Sequence, residues 1–131
     1  MSESQGSRSE RRPQRADSFL AMIPDEEIDK ALAYLRDTAL DAAKAKAQRL
    51  YLDDYSRVLR ALIMSEHLAE PVNAQERHAY ADIRYKTHLE ALKTAIFEDE
   101  KCRFLREAAS AKVEAWRTYQ ANLRSEGKAY S

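Results

Sequence analysis

Glycine and proline are scarce in this chain, with two glycines and three prolines among 131 residues. Both residues interrupt helices, and glycine-rich loops commonly hold nucleotide phosphates. Val, Ile and Thr, which favour strands, are also few, whereas the helix formers Ala, Leu, Glu, Lys and Arg dominate. The composition argues against a phosphate-binding loop and predicts an all-α fold.

Cysteine and long apolar runs are scarce as well. Cys102 is the only cysteine, so a disulfide within the chain is excluded and a reducing compartment fits. No apolar run approaches the ~20 residues of a membrane span, and the N-terminal residues lack the apolar core of a secretory signal. We expect a soluble cytoplasmic protein that does not enter a membrane.

The chain has no excess of positive or negative charge, because Lys plus Arg and Asp plus Glu each number 22. The chain as a whole therefore has no net attraction for nucleic acid, and such a role would need a local patch.

Residues with catalytic chemistry show no recognisable pattern. The carboxylates at 98–100 are consecutive, so they fan around a helix instead of converging. His78 and Asp82 lie four positions apart, but two ligands are too few for zinc. Cys102 falls on an apolar stripe, as an inert buried thiol does. We predict no enzyme, no catalytic residue, no metal, no cofactor and no small-molecule substrate.

The chain divides into a tail and one helical domain. Residues 1–18 are polar and are predicted to be a disordered tail, either solvated or an arm for phosphates or an acidic partner. Residues 19–131 are predicted to form a single helical-hairpin domain. The apolar stretch at 18–23 is expected to dock onto this domain or onto a neighbour.

The first predicted long helix begins after Pro24, where acidic residues suit the positive end of the helix dipole. Neither glycine nor proline follows until Pro71, so we predict an uninterrupted helix to about Ala69. Its apolar stripe has helical spacing and comprises Ile28, Leu32, Leu35, Ala39, Ala42, Tyr51, Tyr55, Val58 and Leu62.

A short helix and a second long helix are predicted beyond Pro71. Asn73 and Glu76 resemble a capping pair for a helix at about 74–81. Asp82 is expected to cap the next helix, from Ile83 to about Ser125, ending near Gly127. Its stripe comprises Tyr85, Leu89, Leu92, Ile96, Cys102, Leu105, Ala109, Val113, Trp116 and Leu123.

Two long helices with a short connector are expected to pack as an antiparallel hairpin. A turn centred near residue 76 places Leu35 opposite Trp116, which then covers the first helix as a core residue.

Adjacent apolar residues on both helices cannot share one narrow seam, so we expect a homo-oligomer, most simply a dimer forming a multi-helix bundle. A larger assembly is the alternative. The expected interface residues are Tyr51, Ile63, Phe97 and Phe104.

Basic residues at similar heights on the two helices suit DNA or an acidic partner. This candidate surface comprises Lys44, Lys46, Arg49, Arg57, Lys101, Arg103, Arg106 and Arg117. Acidic residues such as Asp41 and Glu107 are interleaved with it, so a solvated face is the alternative.

The run at 78–124, "HAYADIRYKTHLEAL…DEKCRFLREAASAKVEAWRTYQANLR", resembles a group of small helical proteins of tailed bacteriophages and prophages. The matching residues include Tyr80, Asp82, Tyr85, His88, Arg103, Phe104, Lys112, Trp116 and Arg117. The genes for these proteins lie in clusters for DNA replication and recombination. The resemblance implies an accessory protein that contacts DNA or a phage or host DNA-processing protein in the bacterial cytoplasm. A protein-interaction module without nucleic-acid contact, such as a host-defence inhibitor or assembly adaptor, is the alternative.

Overall fold

A computed structural model describes residues 23–130 of the chain. Its α-helices are α1 (Asp25–Asp37), α2 (Ala39–Met64), α3 (Val72–Ala81) and α4 (Ile83–Tyr130), with a short 3-10 helix at Ser65–His67. No strand occurs in this part of the chain, so the predicted all-α class is confirmed. The predicted tail at 1–18 and most of the apolar stretch at 18–23 lie outside the described residues.

The first long helix is interrupted at Thr38, contrary to the prediction of a continuous helix to Ala69. Thr38 has φ −96° and ψ −1°, which departs from helical geometry. Its carbonyl accepts a hydrogen bond from the backbone N–H of Ala42 at 2.9 Å, so α2 begins immediately afterwards. The residue type alone does not account for this break, because Thr94 lies inside the continuous helix α4.

The start of α3 also differs from the prediction. Pro71, with φ −61° and ψ 155°, occupies the position before the helix, and its carbonyl accepts from the backbone N–H of Gln75 at 3.0 Å. Asn73 lies inside the first turn, where its side-chain oxygen accepts only from the adjacent N–H of Ala74. Proline fixes its own φ near −65°, so it starts the helix without a side-chain cap.

The predicted cap of α4 is confirmed, and its predicted end is wrong. Asp82 accepts a hydrogen bond from the backbone N–H of Arg84 at 2.8 Å through Oδ1. The helix then continues to Tyr130 and passes through Gly127. A glycine within a helix costs about 1 kcal/mol relative to alanine, which weakens a helix without necessarily ending it.

The described residues fall into two compact units within the predicted single domain. The first unit contains residues 23–37 and 106–130, and the second contains 38–105.

The core of the first unit consists of Ile28, Ala31 and Val113. Trp116 packs against this cluster, in agreement with its predicted structural use. The predicted register is wrong, because the Leu35 carbonyl accepts from the guanidinium of Arg106 at 2.7 Å instead of lying opposite Trp116.

The core of the second unit joins α2 to α3. Leu59 and Ile63 on α2 pack against Ala79 on α3, and both Ile63 and Ala79 have 0% of their surface exposed. The prediction that Ile63 belongs to an oligomer interface is therefore wrong, because its own chain covers it completely.

Burial along α4 has the spacing of three and four residues that the stripe predicted, but several of the buried positions differ. In the second unit the more buried positions on α4 include Tyr85, His88, Leu92, Ala95, Asp99 and Cys102, separated by steps of three and four. Such spacing is typical of a coiled-coil seam. Leu89 and Ile96, which the sequence placed on the stripe, are 44% and 37% exposed. The full antiparallel hairpin and its assembly into a bundle stay predictions.

Within residues 23–130, no helix has both the length and the apolar character required to cross a membrane.

Candidate functional site

Arg49, a predicted contact for nucleic acid, is engaged inside the second unit. Its Nη1 donates to Asp99 Oδ2 at 3.2 Å and to Glu100 Oε1 at 2.8 Å. The hydrogen bond to Glu100 is the main cause that raises the pKa of Arg49. Arg103 also donates to Glu100 and lowers the pKa of this carboxyl more than Arg49 does. Paired guanidinium groups of this kind are partly neutralised and held in place.

The remaining predicted arginines have partners as well. Arg57 donates to Asp54 at 3.1 Å, and Arg117 donates to Glu114 at 3.1 Å. Arg106 donates to the Leu35 carbonyl, as described above.

Lys44, Lys46 and Lys101 differ from the arginines. All three are exposed and belong to the second unit. Among residues 23–130 none of them has an acidic partner within 4.0 Å. They are the predicted basic residues whose charge is most available to a phosphate.

The other predicted interface residues are exposed, as an interface would require. Tyr51, Phe97 and Phe104 have 62%, 61% and 58% of their surface exposed. Phe97 and Phe104 are seven positions apart, about two helical turns, so they lie on the same side of α4. The buried seam residues Ala95 and Cys102 fall on the opposite side by the same helical geometry.

Arg84 connects the 3-10 helix to the start of α4. Its guanidinium donates to both carboxylate oxygens of Glu66, at 2.8 and 2.7 Å, and to Asp82 at 3.0 and 2.9 Å. Hydrogen bonds from the Arg84 side chain and backbone lower the pKa of Asp82 to about 2. The same guanidinium lowers the pKa of Glu66. Asp82 is thus committed to this cluster and does not pair with His78 as a metal ligand.

Two histidines and a glutamate meet at the connection between α2 and α3. His67 ends the 3-10 helix, Glu70 lies in the following turn and His78 is on α3. One ligand atom from each residue lies within 4.8 Å of the other two. The sequence prediction considered His78 with Asp82 and missed Glu70, although His67 and Glu70 are only three positions apart at a predicted helix end.

Comparisons with protein-family models, with curated proteins and with solved structures find no match to the chain. The resemblance to phage proteins therefore stays a prediction. Support for a function therefore comes from which side chains are exposed and which already have a partner within the chain.

Proposed function

We propose that the chain is a non-enzymatic helical protein that self-associates through exposed apolar residues of its second unit. One observation carries the proposal. Among residues 23–128, Ile63 is the only large side chain that is fully buried, while Phe97, Phe104 and Tyr51 are each more than half exposed.

The energetic reason is the small core of the chain. Each unit has a buried cluster of three residues, two of the six being alanines. Covering one phenylalanine with a partner contributes on the order of 2 kcal/mol. Burial of exposed apolar side chains is the usual driving force of association.

A second copy of the chain can cover the side of α4 that carries Phe97 and Phe104, called here the phenylalanine side of α4. In a twofold interface the same patch faces itself, so Phe97 would meet the partner's Phe104 and the reverse. Charges of both signs flank the pair, including Glu98, Lys101 and Arg103. A patch with mixed charges can face its own copy in an antiparallel arrangement without repulsion between like charges.

The resemblance to phage proteins suggests the setting in which this assembly acts. We place it as an accessory protein of phage DNA metabolism that binds a phage or host DNA-processing protein. An interaction module that never contacts nucleic acid, such as a host-defence inhibitor or assembly adaptor, needs the same apolar surface.

Replacing Phe97 and Phe104 together by glutamate tests self-association. At micromolar concentration we expect the wild-type chain to sediment as a dimer or larger species and the double variant as a monomer. The physical reason is that four carboxylates would meet in a twofold interface and would replace the four apolar rings that hold it together. Sedimentation velocity measures the result.

Val72→Glu is the matched control, because Val72 is 63% exposed but lies on α3. This variant should keep the wild-type sedimentation coefficient, and circular dichroism should show equal helix content in all three proteins. A monomeric wild-type chain, or a double variant that still associates, would refute the proposal.

Contact with DNA is the second candidate function, and it is favoured by the lack of an acidic partner for Lys44, Lys46 and Lys101 among the described residues. Replacing these three lysines by glutamate should weaken binding to duplex DNA at low salt at least tenfold. It should also reduce the slope of log affinity against log salt by about 2–3, because each phosphate contact contributes about 0.9. Fluorescence anisotropy with labelled DNA measures both.

Lys30→Glu is the control for this experiment, since Lys30 lies 3.8 and 3.5 Å from Glu26 and Glu27 and is already compensated. A wild-type chain without DNA affinity at low salt would leave the protein-interaction module as the function.

A further inference from the structure

We propose that His67, Glu70 and His78 form a binding site for one divalent transition-metal ion, of which zinc is the best match. The site is built from a single chain and lies in the second unit. It is separate from the phenylalanine side of α4 on which the proposed self-association depends.

One ligand atom from each side chain lies within 4.8 Å of the other two, so modest side-chain rotations bring all three onto one ion. Nε2 of His78 is 2.6 Å from Oε2 of Glu70, and Nδ1 of His67 is 3.9 Å from the same oxygen. The two imidazole rings are stacked, with centroids 4.0 Å apart and planes inclined by 5°, so at least one ring turns when both bind the same ion.

These separations are close to those of a zinc site. Zinc binds nitrogen and oxygen at about 2.0–2.2 Å, so neighbouring ligands in a tetrahedral site are about 3.3–3.5 Å apart. One observed separation is shorter than this value and the other longer, each by less than about 1 Å. The side chains of His67, Glu70 and His78 are 32%, 44% and 46% exposed, which leaves room for rotation and for a water as fourth ligand.

The backbone that carries these ligands is fixed by the fold. The Glu70 backbone N–H donates to the His67 carbonyl at 3.0 Å, and the Glu70 carbonyl accepts from Nε2 of Gln75 at 2.8 Å. Gln75 is buried, and Ala79, the neighbour of His78 on α3, is fully buried against α2. A metal would therefore bind without the cost of ordering the connection between α2 and α3.

The donor atoms determine which metal fits. Two imidazole nitrogens with one carboxylate suit zinc, nickel and copper, whereas magnesium and calcium prefer oxygen ligands throughout. A carboxylate with two imidazoles is a known zinc ligand set. The nearby carboxylates Glu66 and Asp82 are occupied by Arg84, so the set stops at three protein ligands.

Titration of the full chain with Zn²⁺ tests the site. Isothermal titration calorimetry should give one ion per chain, and Zn²⁺ should raise the melting temperature. The variants His67→Ala, Glu70→Gln and His78→Ala should each weaken Zn²⁺ binding at least tenfold and remove the thermal shift, because each loses one ligand. An excess of Mg²⁺ should not compete.

Glu76→Gln is the matched control for Glu70→Gln, since it removes a carboxylate from α3 outside the site. It should bind Zn²⁺ as the wild-type chain does. Co²⁺ provides a second readout, because coordination by Cys102 would produce a thiolate-to-cobalt charge-transfer band that this ligand set cannot produce.

Three outcomes would overturn the proposal. They are the absence of Zn²⁺ binding at about 100 µM, an affinity for Zn²⁺ that is equal in the three ligand variants and the wild type, and a thiolate-to-cobalt charge-transfer band. The double variant Phe97→Glu/Phe104→Glu should retain Zn²⁺ binding whether or not it associates, so failure of one proposal is distinguishable from failure of the other.

Discussion

Ile63→Ala should lower the free energy of unfolding by about 2–5 kcal/mol, the usual cost of removing a buried isoleucine or leucine side chain. Ile63 has 0% exposure and joins α2 to Ala79 on α3. Urea denaturation followed by circular dichroism measures the change.

Leu68→Ala is the comparison, since Leu68 is 75% exposed in the turn before α3. It should change the free energy of unfolding by less than about 0.5 kcal/mol. Equal effects of the two substitutions would contradict the burial of Ile63 between α2 and α3.

His88→Ala should lower the free energy of unfolding by about 2–4 kcal/mol. His88→Leu should lower it much less. His88 is 8% exposed on α4, and its Nε2 lies 2.8 Å from both Ser56 Oγ and the Leu52 carbonyl on α2. The Ser56 hydroxyl donates to the same carbonyl at 3.2 Å. The tautomer of His88 with its proton on Nε2 fits this arrangement, because that N–H can donate to both oxygens.

The difference between the two His88 variants separates packing from hydrogen bonding. Leucine fills most of the space, and Ser56 retains its bond to the Leu52 carbonyl, so no buried polar atom is left without a partner. Alanine leaves a cavity beside the ring of Tyr55, which lies 5.5 Å from the imidazole. A leucine variant as unstable as the alanine variant would show that the hydrogen bonds, and not the volume, hold this position.

The fold class could be predicted because it depends on composition. The scarcity of glycine and of strand formers, together with the position of Pro71, predicts helices on either side of a short connector. The sequence also correctly predicted that Asp82 caps α4. These features depend on residues within one turn of each other, which a sequence shows directly.

Counting apolar residues predicted only part of the buried faces. Ile28, Val113 and Trp116 lie in the core of the first unit as the stripes predicted, whereas the polar seam positions were missed. Arg49, Ser56, His88 and Asp99 occupy seam positions because each has a polar partner on the facing helix or within its own. Leu89 and Phe97 remain outside although they are more hydrophobic. Such pairing depends on residues about 30 to 50 positions apart, as Ser56–His88 and Arg49–Asp99 show.

The metal-ligand cluster was missed for a similar reason. Glu70 faces His78 only after the chain turns at Pro71, and eight positions separate the two residues. Periodicity along one helix does not report such a contact.

The polar residues of the seam also determine which alignment of α2 and α4 is stable. If α4 slid by one heptad, the helices would still present small and apolar residues to each other. Arg49 would then face Leu92 instead of Asp99, and its guanidinium would lose both carboxylates. The side chains of Arg49 and Asp99 are largely shielded from water, so a charge left there without its partner is destabilising. The free-energy cost of losing these ion pairs in the shifted alignment is therefore larger than their net contribution to the observed one.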